Sequence, residues 1–303
     1  MHMSTPTVSI GIPVYNGEKY VERAVDSVLE QTFDDFELII SDNASTDSTP
    51  EIASHYSKID DRIKYRRNSE NKGAAKNFNI TFGEASGQYF KWLSSDEWIE
   101  PTFLQKCVDK LRDDESLVAT YTYCTCFDEG PIEVDCDLNK STPYERFVQM
   151  MECGIILHVP IWSLFRRGEL KKTELIKPFV GADEWLLIDL SISGKFGVIR
   201  NHLHGLRTHE NAFHTIPKYI DGEKDVRAAQ AEWFNPNNQS PNVHRLRWHR
   251  EILKIILRSR CSWRQKYKML AYLSTILWRD KRTVLEEIRQ EILYGVMQEQ
   301  RHG

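Results

Sequence analysis

A chain of 303 residues, 41% hydrophobic and 11% aromatic, has material for one large or two modest domains with a substantial core. Its six cysteines, at 107, 124, 126, 136, 153 and 261, have neither zinc-finger spacing nor the density of a disulfide scaffold, and read as reduced thiols of a cytosolic chain. The net charge of −4 hides a split: Arg245 to Lys268 holds nine Lys/Arg against one acid, Glu251, so the body before it is acidic and the tail is suited to an anionic partner. No run of about 20 apolar residues could cross a bilayer, and no secretory signal pattern opens the sequence. The expected location is the cytoplasm, with peripheral contact at the inner face of the membrane left open.

Val8–Ile12 is a short strand ended by Pro13 and the turn pair Asn16-Gly17, and Val21, Ala24, Val25, Val28 and Leu29 then follow helical spacing. Glu37–Ser41 reads as the second strand, and a polar turn from Asp42 to Asp47 leads to a helix opened by Thr49-Pro50, with Thr49 able to cap. Ile63–Arg66 is a strand, Ala74–Glu84 a helix and Tyr89–Leu93 a strand. Strands alternating with helices of about ten residues predict βαβ units and an α/β fold with a mostly parallel sheet. Pro101–Leu111 continues as a helix, Val118–Cys124 as a strand, Pro143–Met151 and Trp185–Ser193 as helices, and Phe196–Ile199 as a strand. After Pro241 three helices are expected, His244–Leu257, Trp263–Trp278 and Thr283–Gln298, parted at Arg258–Ser262 and Arg279–Arg282. The domain reading is 1–100, a nucleotide-binding half; 101–217, an acceptor-side half; and 218–303, a basic helical region.

The first strand is followed by neither Gly-x-Gly-x-x-Gly nor a Walker A sequence, which removes the usual support for a dinucleotide or an ATP-hydrolysing site. Two acids, Asp96 and Glu97, stand after the Tyr89–Leu93 strand, at the carboxyl edge where open α/β sheets bind ligands. A hard divalent cation bridging to phosphate oxygens would explain them. Asp42 ends the second strand, where its carboxylate could accept from a base or ribose, or could with Asn43 and Ser45 simply build an Asx-type turn.

Five blocks in order carry a resemblance: Val8 to Gly17 (VSIGIPVYNG), Ser27 to Thr32 (SVLEQT), Ile40 to Asp47 (ISDNASTD), Asn71 to Asn77 (NKGAAKN) and Trp92 to Trp98 (WLSSDEW). The chain resembles the family 2 inverting glycosyltransferases with the GT-A fold, through about residue 215, and is similar to members that build bacterial polysaccharides. The resemblance implies that Pro13, Val14 and Tyr15 flank a base and ribose, that Asp42 bonds the base, and that Lys72 and Asn77 run beside the nucleotide with Ser94 and Ser95. It puts Asp96 on the last Asp of the family's Asp-x-Asp signature, holding Mg2+ or Mn2+ against the diphosphate of a UDP- or dTDP-linked sugar. Ser94 stands at the first Asp position and brings no charge; Glu97, one methylene longer than the usual Asp, is a further candidate ligand.

In the second half, Asp183 and Glu184 open the Trp185–Ser193 helix, where a carboxylate is ordinarily a cap. The twelve residues from Asp183 to Gly194 match the family's spacing from catalytic base to helix-ending glycine, so the resemblance makes Asp183 the base and Glu184 the fallback. Leu206-Arg207-Thr208-His209 resembles the Arg-x-His element that follows; Arg207 or His209 would approach the diphosphate or the metal. His202, His204 and His214 read as surface residues of a polar loop, and Trp98 and Trp185 as core or pocket wall.

The tail from His244 to Lys268 interleaves its cations with Trp248, Trp263 and Tyr267. That pattern suits an interfacial helix on anionic lipid, or amphipathic packing on the body or in a homodimer. No nucleic-acid module is present, so nucleic acid is not an expected partner. The expected activity is transfer to a hydroxyl of a glycan or lipid-linked saccharide. The alternatives are a catalytically inactive nucleotide-sugar-binding protein, signalled by Ser94 and Glu97, and a nucleotidyltransferase, which would want basic residues in Gly11–Gly17 that are absent.

Overall fold

The computed structural model of the protein describes residues 5–127, 130–133, 138–153, 159–179, 181–207 and 244–302, with side chains of the last segment from 245 to 292. Val8–Val14 (β1), Phe36–Asp42 (β2) and Tyr89–Trp92 (β4) are buried at every position, as strands covered on both faces must be. β1 runs two residues past the expected end at Ile12, through Pro13 to Val14. It pairs with β4 only from Val8 to Gly11 and with β2 throughout, so at Pro13 one side of the strand is already unpaired and the missing N–H is tolerated. Val21–Leu29 (α1), Thr49–Ile59 (α2), Ile63–Arg67 (β3) and Ala74–Glu84 (α3) complete the first half. Thr49 does not cap α2: its hydroxyl accepts from the Gly17 amide at 2.9 Å, while the Asp47 carboxylate takes the Thr49 amide at 3.0 Å.

Trp98–Ile99 (β5), Phe103–Asp113 (α4), Leu117–Cys126 (β6), Gly130–Ile132 (β7), Pro143–Cys153 (α5), Leu164–Arg166 (β8), Arg167–Leu170 (α6), Ala182–Ser193 (α7) and Lys195–Leu206 (β9) follow. All nine strands join one sheet in the order β3-β2-β1-β4-β8-β6-β9-β5, with β7 on β6. β1, β2, β3 and β4 are parallel; β8 is antiparallel to both β4 and β6; β9 is parallel to β6. Two reversals cancel, so β6 and β9 point the same way as β1 to β4, and all six end at one edge. The two halves expected from the sequence are therefore halves of one sheet. Val25 of α1, Ala53 of α2 and Val108 of α4 lie in the core on one face, and Phe82 of α3, Phe147 of α5 and Leu187 of α7 in the core on the other.

The tail forms His244–Arg258 (α8) and Trp263–His302 (α9). The expected break at Arg279–Arg282 is absent, and α9 is one helix. That stretch has no Gly or Pro, and Arg and Lys are good helix formers. It also docks on α8: Asp280 faces His249 at 3.4 Å, and Val284 packs with Leu246. Ile252, Ile255 and Ile256 of α8 and Met269 and Leu273 of α9 enter the same core as α5 and α7. Arg258 fixes α8 to α7 through Asp189 at 2.5 Å, and Lys177 bonds Glu251. One face of the tail is thus packed on the body.

Two more expectations change. β9 runs seven residues beyond Ile199, which puts His202 and His204 inside the sheet instead of on a polar loop. Cys153 is disulfide-bonded, whereas Cys107, Cys124, Cys126 and Cys261 are free thiols. Cys136, His209 and His214 lie outside the described residues.

Glu37 supplies a stability test. Its buried carboxylate, which burial alone would push up, accepts from Lys64 Nζ at 2.6 Å, Ser9 Oγ at 2.6 Å and the Ser86 amide and hydroxyl at 2.7 Å, and is held down to about 2. A depressed folded value means stability that is full above the ordinary 4.5 and is lost as pH falls from there toward about 2. Glu37→Gln should cost about 2–3 kcal/mol at pH 7 and flatten that acid limb in urea melts run from pH 5 to 2. An unchanged limb would remove the residue from the acid response.

Candidate active site

The carboxyl edge gathers the loops after β1, β2, β3, β4 and β9, and these carry most of the residues singled out in the sequence. α7 reaches the same edge by topology. It leads through Gly194 into the start of β9, so its own start, with Asp183, lies at the opposite edge of the sheet from that junction, where β4 and β9 end.

Tyr15 follows β1 and is 49% exposed, with a free aromatic face beside buried Pro13 and Val14. The loop holding it is pinned to the loop after β2: the Asn16 amide donates to Ser45 Oγ at 2.9 Å and the Thr46 amide to Asn16 Oδ1 at 2.9 Å. Asp42 is fully buried. Its Oδ1 accepts from the Ser45 amide at 2.8 Å, and its Oδ2 accepts from the Tyr65 hydroxyl at 3.1 Å and forms an ion pair with Arg67 Nε 3.3 Å away. The turn-building role is present in the structure, with one hydrogen bond at each carboxylate oxygen; further acceptor sites remain on the group expected to bond a base.

Asn77 is likewise structural. Its amide donates to the Ser41 carbonyl at 2.8 Å, and its Oδ1 accepts from Ser41 Oγ at 2.7 Å and Asn68 Nδ2 at 3.0 Å. Asn43 continues the network, accepting from Asn68 Nδ2 at 3.1 Å and the Lys72 amide at 2.9 Å and donating to Asn71 at 2.8 Å. Sequence reasoning missed this buried amide cluster, though Asn43 and Asn68 directly after strands, with Asn71 and Asn77 following, were its signal. Its effect is to fix the Lys72 backbone, leaving the half-buried ammonium side chain at the edge.

The loop after β4 is built around Asp96. Ser94 Oγ donates to Asp96 Oδ1, so the residue at the uncharged signature position orients the carboxylate beside it. Ser95 lies beside Gly17, where a Cβ would meet the Val14 side chain at 2.6 Å and Ser95 Oγ only at 3.4 Å. Arg207, just past β9, donates from Nε to the Asp96 carbonyl at 3.4 Å, with its guanidinium over the rings of Tyr20, Phe127 and Trp98. Trp98 can lie flat on β9 because residue 205 is glycine: a Cβ there would sit 1.9 Å from the indole. Trp98 is thus a wall of the Arg207 cage.

Glu97 corrects the ligand set expected from the sequence. It is buried and turned inward, with Oε2 at 2.9 Å from His204 Nε2. His204 Nδ1 lies 3.5 Å from Lys91 Nζ, and the fully buried Lys91 donates to the Trp162 carbonyl at 2.5 Å. The tautomer that suits both neighbours accepts from Lys91 at Nδ1 and donates to Glu97 at Nε2. Burial, then repulsion from Asp96, pushes the Glu97 carboxyl well up; burial drives His204 well down and lowers Lys91 to about 8. Trp162 stacks on His204 with centroids 5.8 Å apart. Lys91, alone in an otherwise apolar strand, was the sequence signal for this cluster, since a buried ammonium needs partners.

Among the described residues no group of three or more His, Cys, Asp or Glu side chains could hold a metal. The chemistry of the donor set still fits a hard divalent ion, because Mg2+ is commonly held by one or two carboxylates and completed by substrate phosphates. Asp96 is the carboxylate that would hold it, and Glu97 is turned away from that side.

α7 starts at Gly181, whose φ of 83° is left-handed backbone suited to glycine. Asp183 is therefore the second helical residue rather than the cap, and is half-buried. Glu184 Oε2 accepts from Trp248 Nε1 of α8 at 3.4 Å, which commits the fallback base to the tail. Trp185 is in the core.

Comparisons with known proteins agree with this architecture. The putative glycosyltransferase EpsH of Bacillus subtilis is 30% identical over 183 residues, 59% of this chain and 52% of that protein. The chondroitin synthase of Escherichia coli is 38% identical over 117 residues, 39% of this chain and 17% of that one. The chain thus spans about half the length of the first of these and much less of the second. Among solved structures, S. aureus TarS 1-349 in complex with UDP-GlcNAc matches with a TM-score of 0.58 at 17% identity, over 95% of this chain and 91% of that one. The mannosyltransferase PcManGT from Pyrobaculum calidifontis, in complex with GDP-Man and Mn2+, matches with a TM-score of 0.51 at 15% identity, over 96% and 88%. At such identities the likeness is one of fold: a mostly parallel GT-A sheet with a helical C-terminal region. The sequence profile described as Glycosyl transferase family 2 matches residues 9–173, more than half of the chain, which belongs to that family.

Proposed function

We propose that the protein transfers a sugar from a UDP- or dTDP-linked donor to a hydroxyl of a glycan or lipid-linked saccharide, with inversion at the anomeric carbon. The observation that supports this reading is that exposed Tyr15, the oriented Asp96 and caged Arg207 stand on loops at one sheet edge, toward which the topology also directs the start of α7 with Asp183. Tyr15 offers a face on which a base can stack. Asp183 takes the proton of the acceptor hydroxyl as its oxygen attacks the anomeric carbon, and the bond to the diphosphate oxygen breaks on the opposite face. Asp96, held by Ser94, would carry Mg2+ or Mn2+, which when bound supplies positive charge to the diphosphate. Arg207 adds a fixed cation at that loop for the charge that develops on the departing group. Neither residue needs a large reorganisation, because the Ser94 bond and the aromatic cage already set them.

The second reading, a protein that binds nucleotide sugars without transferring them, draws on Ser94 in place of an acid and on Glu97 facing away from the metal side. Calorimetry with UDP, dTDP, GDP and ADP, with Mn2+ and with EDTA, followed by donor hydrolysis and transfer assays, separates the two. The expected result is uridine or thymidine diphosphate binding that weakens about tenfold or more in EDTA, with slow donor hydrolysis. Metal-dependent binding with no hydrolysis or transfer across a donor and acceptor panel would favour the binding-only reading.

A further inference from the structure

The outer face of α9 is a surface that the transfer site does not use. Trp263, Tyr267, Trp278, Leu285 and Ile292 are 62–75% exposed. At 3.6 residues per turn these five fall within about 60° of one another around the helix, and the stripe runs roughly 44 Å along it. The buried seam of α9, Met269, Leu273, Ile276 and Val284, lies roughly 135° away and is the face packed on the body. Between them, on the exposed flank, stand Arg264, Lys268, Arg279, Arg282 and Arg289 with one acid, Glu286. Lys281 lies within the stripe, 3.5 Å over the Trp278 ring. Asp280 and Glu287 of the same helix are turned inward, where Asp280 faces His249 and Glu287 accepts from the amides of Arg245 and Leu246. Sorting the acids inward and the cations outward leaves the outer face positive.

We infer that this face of α9 docks the protein on an anionic lipid surface, with the aromatic and aliphatic stripe at headgroup depth and the basic flank against the phosphates. Three observations decide the occupant. Trp and Tyr beside Lys and Arg match the mixed polarity of a membrane interface, where aromatic rings and ammonium groups have complementary depths. A second copy of the chain meeting this face would bring basic flank near basic flank, and among the described residues the face holds no acidic strip to answer it. Duplex nucleic acid would take the charge but leave the indoles in water. No described helix is long and apolar enough to cross a membrane, so the contact is peripheral. The inference does not rest on the proposed transfer activity.

The test uses the full chain and vesicles of phosphatidylcholine with or without phosphatidylglycerol. The protein should sediment with the vesicles containing phosphatidylglycerol, with a blue shift of Trp emission, and should stay in the supernatant with phosphatidylcholine alone. Raising the salt should release it, because exposed charges are screened over about 10 Å at 0.1 M. The combined Trp263→Ser, Tyr267→Ser, Trp278→Ser variant should bind about tenfold or more weakly at nearly unchanged melting temperature and nucleotide binding, since these side chains lie outside the core, the two indoles against lysines of their own helix. Arg264→Glu with Lys268→Glu and Arg282→Glu should remove the preference for phosphatidylglycerol. Absence of sedimentation, or full sedimentation of the serine variant, overturns the inference. So does a dimer in the wild type that the serine variant loses, which would make the stripe a subunit seam, or a shift of duplex oligonucleotide stronger than the vesicle binding.

Discussion

Asp183→Asn should lower turnover about 10²- to 10⁴-fold while leaving nucleotide binding nearly intact, the scale on which a general base acts. The substitution keeps size and helix position, and the cap of α7 is Gly181, so no capping bond is removed with it. Its effect should therefore be read as turnover against nucleotide binding. Glu184→Gln is the control: Glu184 accepts from Trp248, so the change weakens an attachment between α7 and the tail and should show in melting temperature more than in turnover. Steady-state rates with saturating donor, together with calorimetry of UDP, distinguish the two. A fully active Asp183→Asn enzyme would transfer the base to another residue and remove the central step of the proposed chemistry.

The strands and helices of the first half were legible because a sheet buried on both faces writes itself as short apolar runs, and the intervening helices as 3.6-residue spacing. Asp96 and Arg207 could be placed in the sequence because chain topology alone sends strand ends to one edge. What was not legible were the destinations of side chains. His202 and His204 sit among Arg, Asn and Gly residues and read as a loop, yet β9 continues because it pairs along β6 as far as Cys126. Glu97 and Asp96 are neighbours with opposite fates, one inward to His204 and one held at the edge by Ser94, and a one-dimensional motif cannot separate them. Asp42 and Asn77 match the family's blocks, and both also hold the loops together, a role the blocks do not reveal. In α9 the cluster Arg279–Arg282 looked like a turn because its charge was visible and its dock on α8 was not.

The inward turn of Glu97 gives the other large effect. Glu97→Ala leaves Lys91 buried and His204 Nε2 without its acceptor, and breaking a buried charged cluster on one side costs about 3–5 kcal/mol. Glu97→Gln keeps an acceptor for His204 and should cost clearly less. Lys91→Met in the Glu97→Gln background removes the stranded cation, so the double variant should be more stable than the sum of the single changes predicts, in a cycle read by urea melts. The pH response has a definite sign. Burial lowers Lys91 from 10.5 to about 8, so between those values the unfolded chain binds more protons than the folded one. Stability from this group therefore rises as pH climbs from about 8 to 10.5, and Lys91→Met should abolish that rise. Were Glu97 instead a metal ligand, Glu97→Ala would raise the metal concentration needed for activity and leave metal-free stability alone. A melting temperature unchanged in EDTA, with a weakened metal response, would therefore overturn the structural role argued for this carboxylate.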